Sequence, residues 1–393
     1  MGKLLFLSNS TKPSKEEYEF VGEEQLDNIS IPSVKAAGEM GIQVTIGTNR
    51  KYAKQMTCTY PVSFYNAEIY RNPFNIREVR QAYQNACAEL RSDDYTAIHC
   101  NTPIGGFVGR VAGKKCNIGK VIYQAHGFHF YNGAPFVNWL LYYPVERLLA
   151  RWTDAIITIN HEDYSFAQKK MKLRKGGKVY YVPGVGIDTE RFAPDEAVRQ
   201  SKRQELGLSD DDVMLISAGD LNKNKNNTVL VSALSKLQNK KIHYFLCGVG
   251  DKEKDLRQQA QEAGLSENVH FLGYRRDMKE LLQAADVFVM PSLREGLSRS
   301  IMEAMSAGLP CVVSKIRGNV DLVSEGQGGY LHAPADADTA ADAIEKLAND
   351  RELRQAMRTF NLEKVKQFDS SVVEREIQKI YAELLPAREK VMG

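Results

Sequence analysis

Short apolar runs separated by polar, amphipathic stretches recur along nearly the whole chain. Runs at residues 3–8, 42–47, 62–65, 95–100, 120–125, 154–159 and 178–182 read as buried strands, because a strand covered on both faces is apolar throughout instead of alternating. Between them, residues 25–39, 77–91 and 161–171 carry the helical period, with Val79, Tyr83, Cys87 and Leu90 on one side of the second. The alternation restarts at 213–219 and continues through 242–247, 269–273, 286–290, 311–314 and 329–331, with helices predicted over 228–237 and 252–263. Strand and helix repeated in this order predict an α/β protein built from doubly wound sheets. The tail, 336–386, is helical by periodicity.

The pattern breaks at Pro183-Gly184-Val185-Gly186-Ile187-Asp188, followed by the polar segment 193–209. Two glycines beside a proline suit a hinge. At 393 residues the chain exceeds what one core serves, so two domains are expected, 1–187 and 188–372.

Composition adds little, since 43% apolar and 26% charged residues are ordinary for a globular protein. Charge adds more. Residues 110–178 hold 12 Lys and Arg against 4 Asp and Glu, within a net charge of +3 for the whole chain. Such a first domain suits an anionic lipid surface or a phosphorylated acceptor, with an ordinary solvated surface as the plainer reading. Nothing in the pattern suggests a nucleic-acid partner. The six cysteines are scattered, without C-x-x-C or zinc spacing, which fits a reducing cytoplasm. The start has four consecutive apolar residues, too few for a signal peptide, and no run approaches the about eighteen needed to span a bilayer. The expectation is a cytoplasmic protein, free or peripheral on the inner face of the plasma membrane. In the aromatic helix predicted over 136–152, with a kink at Pro144, Trp139, Tyr142, Tyr143 and Trp152 suit a headgroup interface or an ordinary core.

The chemistry concentrates at 291–314, P-S-L-R-E-G-L-S-R-S-I-M-E-A-M-S-A-G-L-P-C-V-V-S, which reads as loop, helix, turn and strand. A parallel strand delivers its loop to one sheet edge, and the helix after it aims backbone N–H groups there, which suits a diphosphate. Glu295 and Glu303 would face sugar hydroxyls; alternatively Ser300 and Glu303 form a capping box. Lys223 and Lys225 precede a predicted helix N-terminus, where a bound anion or solvent would relieve their conflict with the helix dipole. His126 ends a strand and precedes Gly127, so it faces a ligand or packs as a loop histidine; His129 is the weaker choice and His99 reads as packing. The polar loop 9–19 follows the first strand, where substrate is often met. Asp93-Asp94 and Asp210-Asp211-Asp212 read as solvated loop acids, so no metal site is expected.

Taken in series, the 291–314 element with its E-x7-E, N-V-H-F-L-G-Y, L-C-G-V-G-D, V-P-G-V-G-I-D-T-E-R-F and A-H-G-F-H-F make the chain resemble the family-four glycosyltransferases of the GT-B fold. S-A-G-D-L-N-K-N-K-N and A-H-G-F-H-F-Y-N-G-A-P resemble the bacterial branch that assembles exopolysaccharide or capsule units on a lipid carrier. The resemblance covers nearly the whole chain. It implies two Rossmann-like domains facing across a cleft, with a terminal helix over 373–393 crossing back to the first.

It also implies roles. Glu303 would hold the donor ribose, Glu295 would reach the donor sugar, and the amides of Gly296, Leu297 and Ser298 would surround the diphosphate. Gly219, Asp220, Lys223, Lys225 and Arg299 would belong to the same donor site, with Lys225 neutralising phosphate. Tyr274 and Arg275 would place main chain at the base, and His126 would lie beside the transferred sugar. One departure stands out: the family's usual arginine, five residues before the phosphate lysine, is here Asp220. The implied activity is that of a retaining hexosyltransferase, with a UDP-sugar as donor, a free or polyprenyl-diphosphate-linked saccharide as acceptor, and no cofactor. A UDP-sugar epimerase of the same fold and a non-catalytic two-domain binding protein are the alternatives.

Overall fold

A computed structural model describes residues 2–8, 23–25, 30–48, 55–57, 60–70 and 72–385. The chain divides into two compact units, Met1–Gly186 with Ser370–Gly393, and Ile187–Asp369. The proposed substrate loop 9–19, residues 26–29 of the helix expected over 25–39, and residues 386–393 of the expected terminal helix lie outside the described residues, while Gln25 is in a strand and not in that helix.

The first unit contains β1 (Lys3–Leu7), β2 (Glu23–Gln25), α1 (Ile31–Glu39), β3 (Gln43–Thr48), β4 (Gln55–Thr57), β5 (Val62–Asn66), α2 (Ile76–Ser92), β6 (Ala97–Asn101), α3 (Pro103–Lys115), β7 (Lys120–Ala125), α4 (Phe136–Ala150), β8 (Ala155–Thr158), α5 (His161–Lys170) and β9 (Lys178–Tyr181). Its main sheet has the order β5-β3-β1-β6-β7-β8-β9, and β2 pairs with β4 separately. Every pairing in the main sheet is parallel. Because side chains alternate along a strand, β1 feeds two cores. Leu5 and Leu7 pack with residues of α2 and α3, whereas Leu4 and Phe6 pack with residues of α1 and the chain's last helix.

The second unit contains α6 (Glu196–Glu205), β10 (Val213–Ala218), α7 (Thr228–Leu234), β11 (Ile242–Cys247), α8 (Glu253–Glu262), β12 (Val269–Gly273), α9 (Met278–Ala284), β13 (Val287–Met290), α10 (Arg299–Ser306), β14 (Cys311–Ser314), α11 (Asn319–Leu322), β15 (Gly329–His332), α12 (Ala337–Asn349) and α13 (Arg351–Lys364). Its sheet runs β12-β11-β10-β13-β14-β15, again all parallel. Strand order reverses between β10 and β13, and ligands of open α/β sheets bind in the crevice outside the carboxyl ends at such a point.

The helical tail expected over 336–386 is divided into three helices, ending in α14 (Ser370–Leu384). Asp350 makes the first break, because its side chain accepts the Leu353 N–H at 2.8 Å and caps α13. A 3-10 turn, Val365–Phe368, makes the second. The chain enters the second unit after Gly186 and leaves it after Asp369, and α14 therefore starts at Ser370, three residues earlier than the sequence suggests. Val373, Ile377, Ile380, Tyr381 and Leu384 bury one face of α14 in the first unit's core. Tyr381 Oη meets Nδ1 of the fully buried His99 at 2.6 Å, so that histidine is a packing residue.

Helix α4 decides between the two readings of its aromatic residues. Trp139, Tyr142 and Tyr143 turn inward onto the core, Trp139 lying 5.6 Å from Phe130 and 5.7 Å from Phe166 between ring centroids, so they are not headgroup anchors. Trp152 lies beyond the helix end, with the Lys114 ammonium 3.7 Å from its ring. Pro144 sits inside the helix without ending it.

Candidate functional site

In the second unit, the loops after β10 and β13 stand on either side of the switch point and carry most of the residues singled out above. Lys225, from the first loop, donates to Glu295 Oε1 of the second at 2.9 Å, and the two side chains are only 20% and 16% exposed. The Lys225 Nζ also reaches Met290 Sδ at 3.8 Å. A carboxylate thus holds the ammonium at the sheet edge. Gly219 makes the room for this: its φ is +142°, and a Cβ there would stand 2.9 Å from Lys225 Cε.

Backbone lacing fixes the two loops together. Asn224 accepts from the Leu293 N–H at 2.8 Å and donates to the Arg294 carbonyl at 3.0 Å. Asn226, itself at φ +56°, donates to the carbonyls of Pro291 at 3.1 Å and Pro334 at 2.7 Å. From the far side, Arg317 Nε donates to the Glu295 carbonyl at 3.3 Å, and Gly318, at φ +81°, is pressed against the Gly296 carbonyl oxygen.

Helix α10 begins at this crevice. Ser298 is its N-cap, accepting the Ile301 N–H at 3.5 Å. Glu303 therefore lies five residues past the cap, and the Ser300–Glu303 capping box does not form. Arg299 Nη2 donates to Glu303 Oε1 at 3.3 Å, one turn apart. Burial raises the Glu303 carboxyl above the usual carboxylate range, with Arg299 and Arg191 pulling in the opposite direction. Leu297 and Ser298 are buried and Gly296 is half-buried, so the loop offers main chain more than side chain.

Other positions divide clearly. Asp220 and Lys223 are exposed, and Asp220 does not orient Lys225, which is bound by Glu295 instead. Tyr274 is exposed just past β12. Arg275 spends its guanidinium on Asp277, with Nε 2.7 Å from Oδ1, which leaves its main chain as the part available to a ligand.

In the first unit, His126 follows β7, and both ring nitrogens are buried without a hydrogen-bond partner. Burial lowers its pKa to about 4, so the ring is neutral near pH 7. His129 packs on Tyr142 instead, with centroids 4.6 Å apart. The side chain of Asn101, at the end of the adjacent β6, is also buried with both polar atoms unpartnered.

A cavity of about 870 Å³ lies at the opposite edge of the second sheet, near Val213, Asp286 and Pro310. It is rich in arginine, but Arg199 and Arg203 bind Asp286 at 2.6 and 3.0 Å. Arg354 caps the carbonyls at the end of α12.

Sequence reasoning missed Asn224, Asn226, Arg191, Arg317 and Gly318. The asparagines stood in view in the N-K-N-K-N run, and asparagine tolerates left-handed backbone. Arg191 stood in the V-P-G-V-G-I-D-T-E-R-F stretch without being singled out, and Arg317 and Gly318 left no local signal.

Residues 198–363 match the family model described as "Glycosyl transferases group 1", and residues 34–174 match "Glycosyl transferase 4-like domain". Over 357 residues the chain is 34% identical to the EpsD protein of Bacillus subtilis (strain 168), covering 90% of this chain and 92% of that one. It is 31% identical over 269 residues to the Escherichia coli UDP-Gal:alpha-D-GlcNAc-diphosphoundecaprenol alpha-1,3-galactosyltransferase, covering 67% of this chain and 69% of that enzyme. Among solved structures, Anabaena Alr3699/HepE in complex with UDP-glucose shares the fold, with a TM-score of 0.74 at 21% identity over 97% of this chain and 99% of that one.

Proposed function

Because this chain belongs to the GT-B glycosyltransferases of the exopolysaccharide type, we propose that it moves a hexose or N-acetylhexosamine from a UDP-sugar to a saccharide on polyprenyl diphosphate, with retention of configuration. The observation that carries this reading is the meeting of Lys225 and Glu295 at the switch point, beside the N-terminus of α10. A cation, a carboxylate and unpaired helix amides suit a sugar diphosphate.

In the proposed reaction the bond from sugar C1 to the β-phosphate oxygen breaks. The acceptor oxygen bonds to C1 on the same face, and its proton passes to the departing UDP. The barrier lies in negative charge growing on the diphosphate while the sugar becomes oxocarbenium-like. Lys225, Arg299 and the first amides of α10 oppose the first of these charges, and preorganised donors of this kind act strongly in a water-poor site. Asp220 adds no positive charge where the family has arginine, so compensation rests on Lys225, Arg299 and the helix N-terminus. Glu303 takes the ribose hydroxyls, Glu295 the donor sugar, and the main chain at Tyr274 and Arg275 the base. His126, neutral and unpartnered, is assigned to the transferred sugar. No protein nucleophile is assigned, and no metal is required, so chelation with EDTA should leave turnover unchanged.

An acceptor of this kind resides in a bilayer, so the proposed place of work is the cytoplasmic face of the plasma membrane. The deciding experiment offers the purified protein UDP- and GDP-sugars together with membrane-extracted polyprenyl-diphosphate saccharides, and reads released nucleotide, product mass and anomeric configuration. A heavier saccharide-lipid with release of UDP is expected. Epimerised nucleotide sugar formed without acceptor, or donor recovered intact from every combination, would overturn the reading.

A further inference from the structure

The outer face of α4 is apolar for its whole length. Phe136, Val137, Leu140, Leu141, Val145 and Leu148 recur at helical spacing on that face, and they are 80, 53, 61, 52, 43 and 48% exposed. Scattered exposed apolar residues need no explanation, but a continuous stripe does. The inner face, with Trp139, Tyr142 and Tyr143, is already satisfied by the core.

The exposed charge around the stripe is mainly positive. The helix's single acid, Glu146, turns inward to the fully buried Arg110 at 2.8 Å, so it contributes no negative charge to the outer face. Arg147 and Arg151 are exposed at the carboxyl end of the helix, and Lys114 approaches Trp152 there. Near the other end, Lys169 and Lys170 of α5 border a pocket of about 340 Å³ that Trp139, Phe130 and Phe166 also line. The nearby acid Glu162 is held by the Asn132 N–H at 2.7 Å. Arg147, Arg151, Lys169 and Lys170 have no ion-pair partner among the described residues.

We infer that α4 lies in the surface of an anionic bilayer, with the Phe136–Leu148 stripe among the upper acyl chains and the surrounding Lys and Arg at the lipid phosphates. An apolar helix face bordered by cations has the chemistry of an interfacial helix. A second copy of the chain fits poorly, since a two-fold contact places each patch against its own image and would press like charges together. This inference deepens the lipid-linked-acceptor reading, because a bilayer-docked first unit would meet an acceptor whose diphosphate sits at that surface.

The test is flotation of the full-length protein with phosphatidylglycerol/phosphatidylcholine vesicles, with phosphatidylcholine vesicles and without lipid. The wild type should float with the anionic vesicles, less at high salt, and weakly with phosphatidylcholine alone. Leu140→Glu/Leu141→Glu should bind at least tenfold less with an unchanged melting temperature, since both positions are exposed. Arg147→Glu/Arg151→Glu is a second surface variant that should lose the preference for anionic lipid. Wild type that stays with the lipid-free fraction, or a leucine variant that floats as the wild type does, overturns the inference. So does a wild-type dimer that becomes monomeric in the leucine variant without any flotation. Transfer to a water-soluble, short-chain acceptor separates the two readings. Loss of flotation with full soluble turnover supports docking by α4, while flotation with no transfer to any acceptor leaves docking standing and removes the transferase assignment.

Discussion

Lys225 and Glu303 both belong to the proposed donor site of the second unit, yet their removal should be read differently. In the proposed reaction Lys225 opposes charge that grows as the diphosphate leaves, so Lys225→Ala should lower kcat about 10²–10³-fold. Glu303 is proposed to bind ribose, which does not change during reaction, so Glu303→Ala should raise the donor KM about 10–100-fold and leave kcat nearly untouched, in line with the loss of hydrogen bonds to a charged group. Steady-state kinetics with the identified donor separates the two, and wild-type constants in either variant would refute its assignment. His126 makes a different prediction. Its pKa falls from 6.5 to about 4 on folding, so between these values the unfolded chain binds more protons, and stability falls as the solution is acidified from pH 6.5 towards 4. His99, lowered to about 3 mainly by burial, adds to the same trend. Each such histidine contributes up to about 1.4 kcal/mol per pH unit. Since carboxylates also titrate in acid, urea unfolding of His126→Gln beside the wild type isolates this share, and identical pH slopes would refute it.

At the scale of elements, the strands of the two main sheets were easy to locate because each is an apolar run closed by glycine, asparagine or a charged loop, and residues 242–247 are found as β11 without change, whereas the short, polar β2 and β4 were not expected. Helix ends were harder, since Asp350 and Asp336 act as caps only through hydrogen bonds to N–H groups three residues on. The donor loop has the same character. Its conformation depends on Gly318, which follows β14 and whose hydrogen atom is all that fits against the Gly296 carbonyl. Gly318→Ala should displace residues 293–298 and weaken UDP binding about tenfold although the residue need not touch ligand. The strain of a side chain at φ +81° should also remove about 1–3 kcal/mol of stability. Isothermal titration with UDP and thermal unfolding check both, and unchanged affinity would mean that the loop does not need this support.

For the whole molecule, the consequential feature is that the last helix completes the first unit. Five buried side chains of α14 are worth about 10 kcal/mol at about 2 kcal/mol each, comparable to the full stability of an ordinary domain. Deleting residues 370–393 should therefore leave the first unit unfolded or aggregated while the second retains its fold. Limited proteolysis of the truncated chain would show a resistant fragment near 187–369 and rapid loss of residues 1–186. A truncated protein with both units protected would contradict the assignment.

The sequence by itself determined the α/β class and the restart of the pattern near residue 213, and it singled out Glu295, Glu303 and Lys225 as candidates, because apolar period and loop chemistry are local properties. Three things were decided only by tertiary structure. The Ser300–Glu303 spacing gave way to Ser298 as the cap, because a cap is selected by where the chain turns. Lys225 found Glu295 seventy residues away because strand order brings β10 beside β13. The aromatic side of α4 went inward and its aliphatic side outward, since a helix apolar all round carries no periodic signal for which face the core will take.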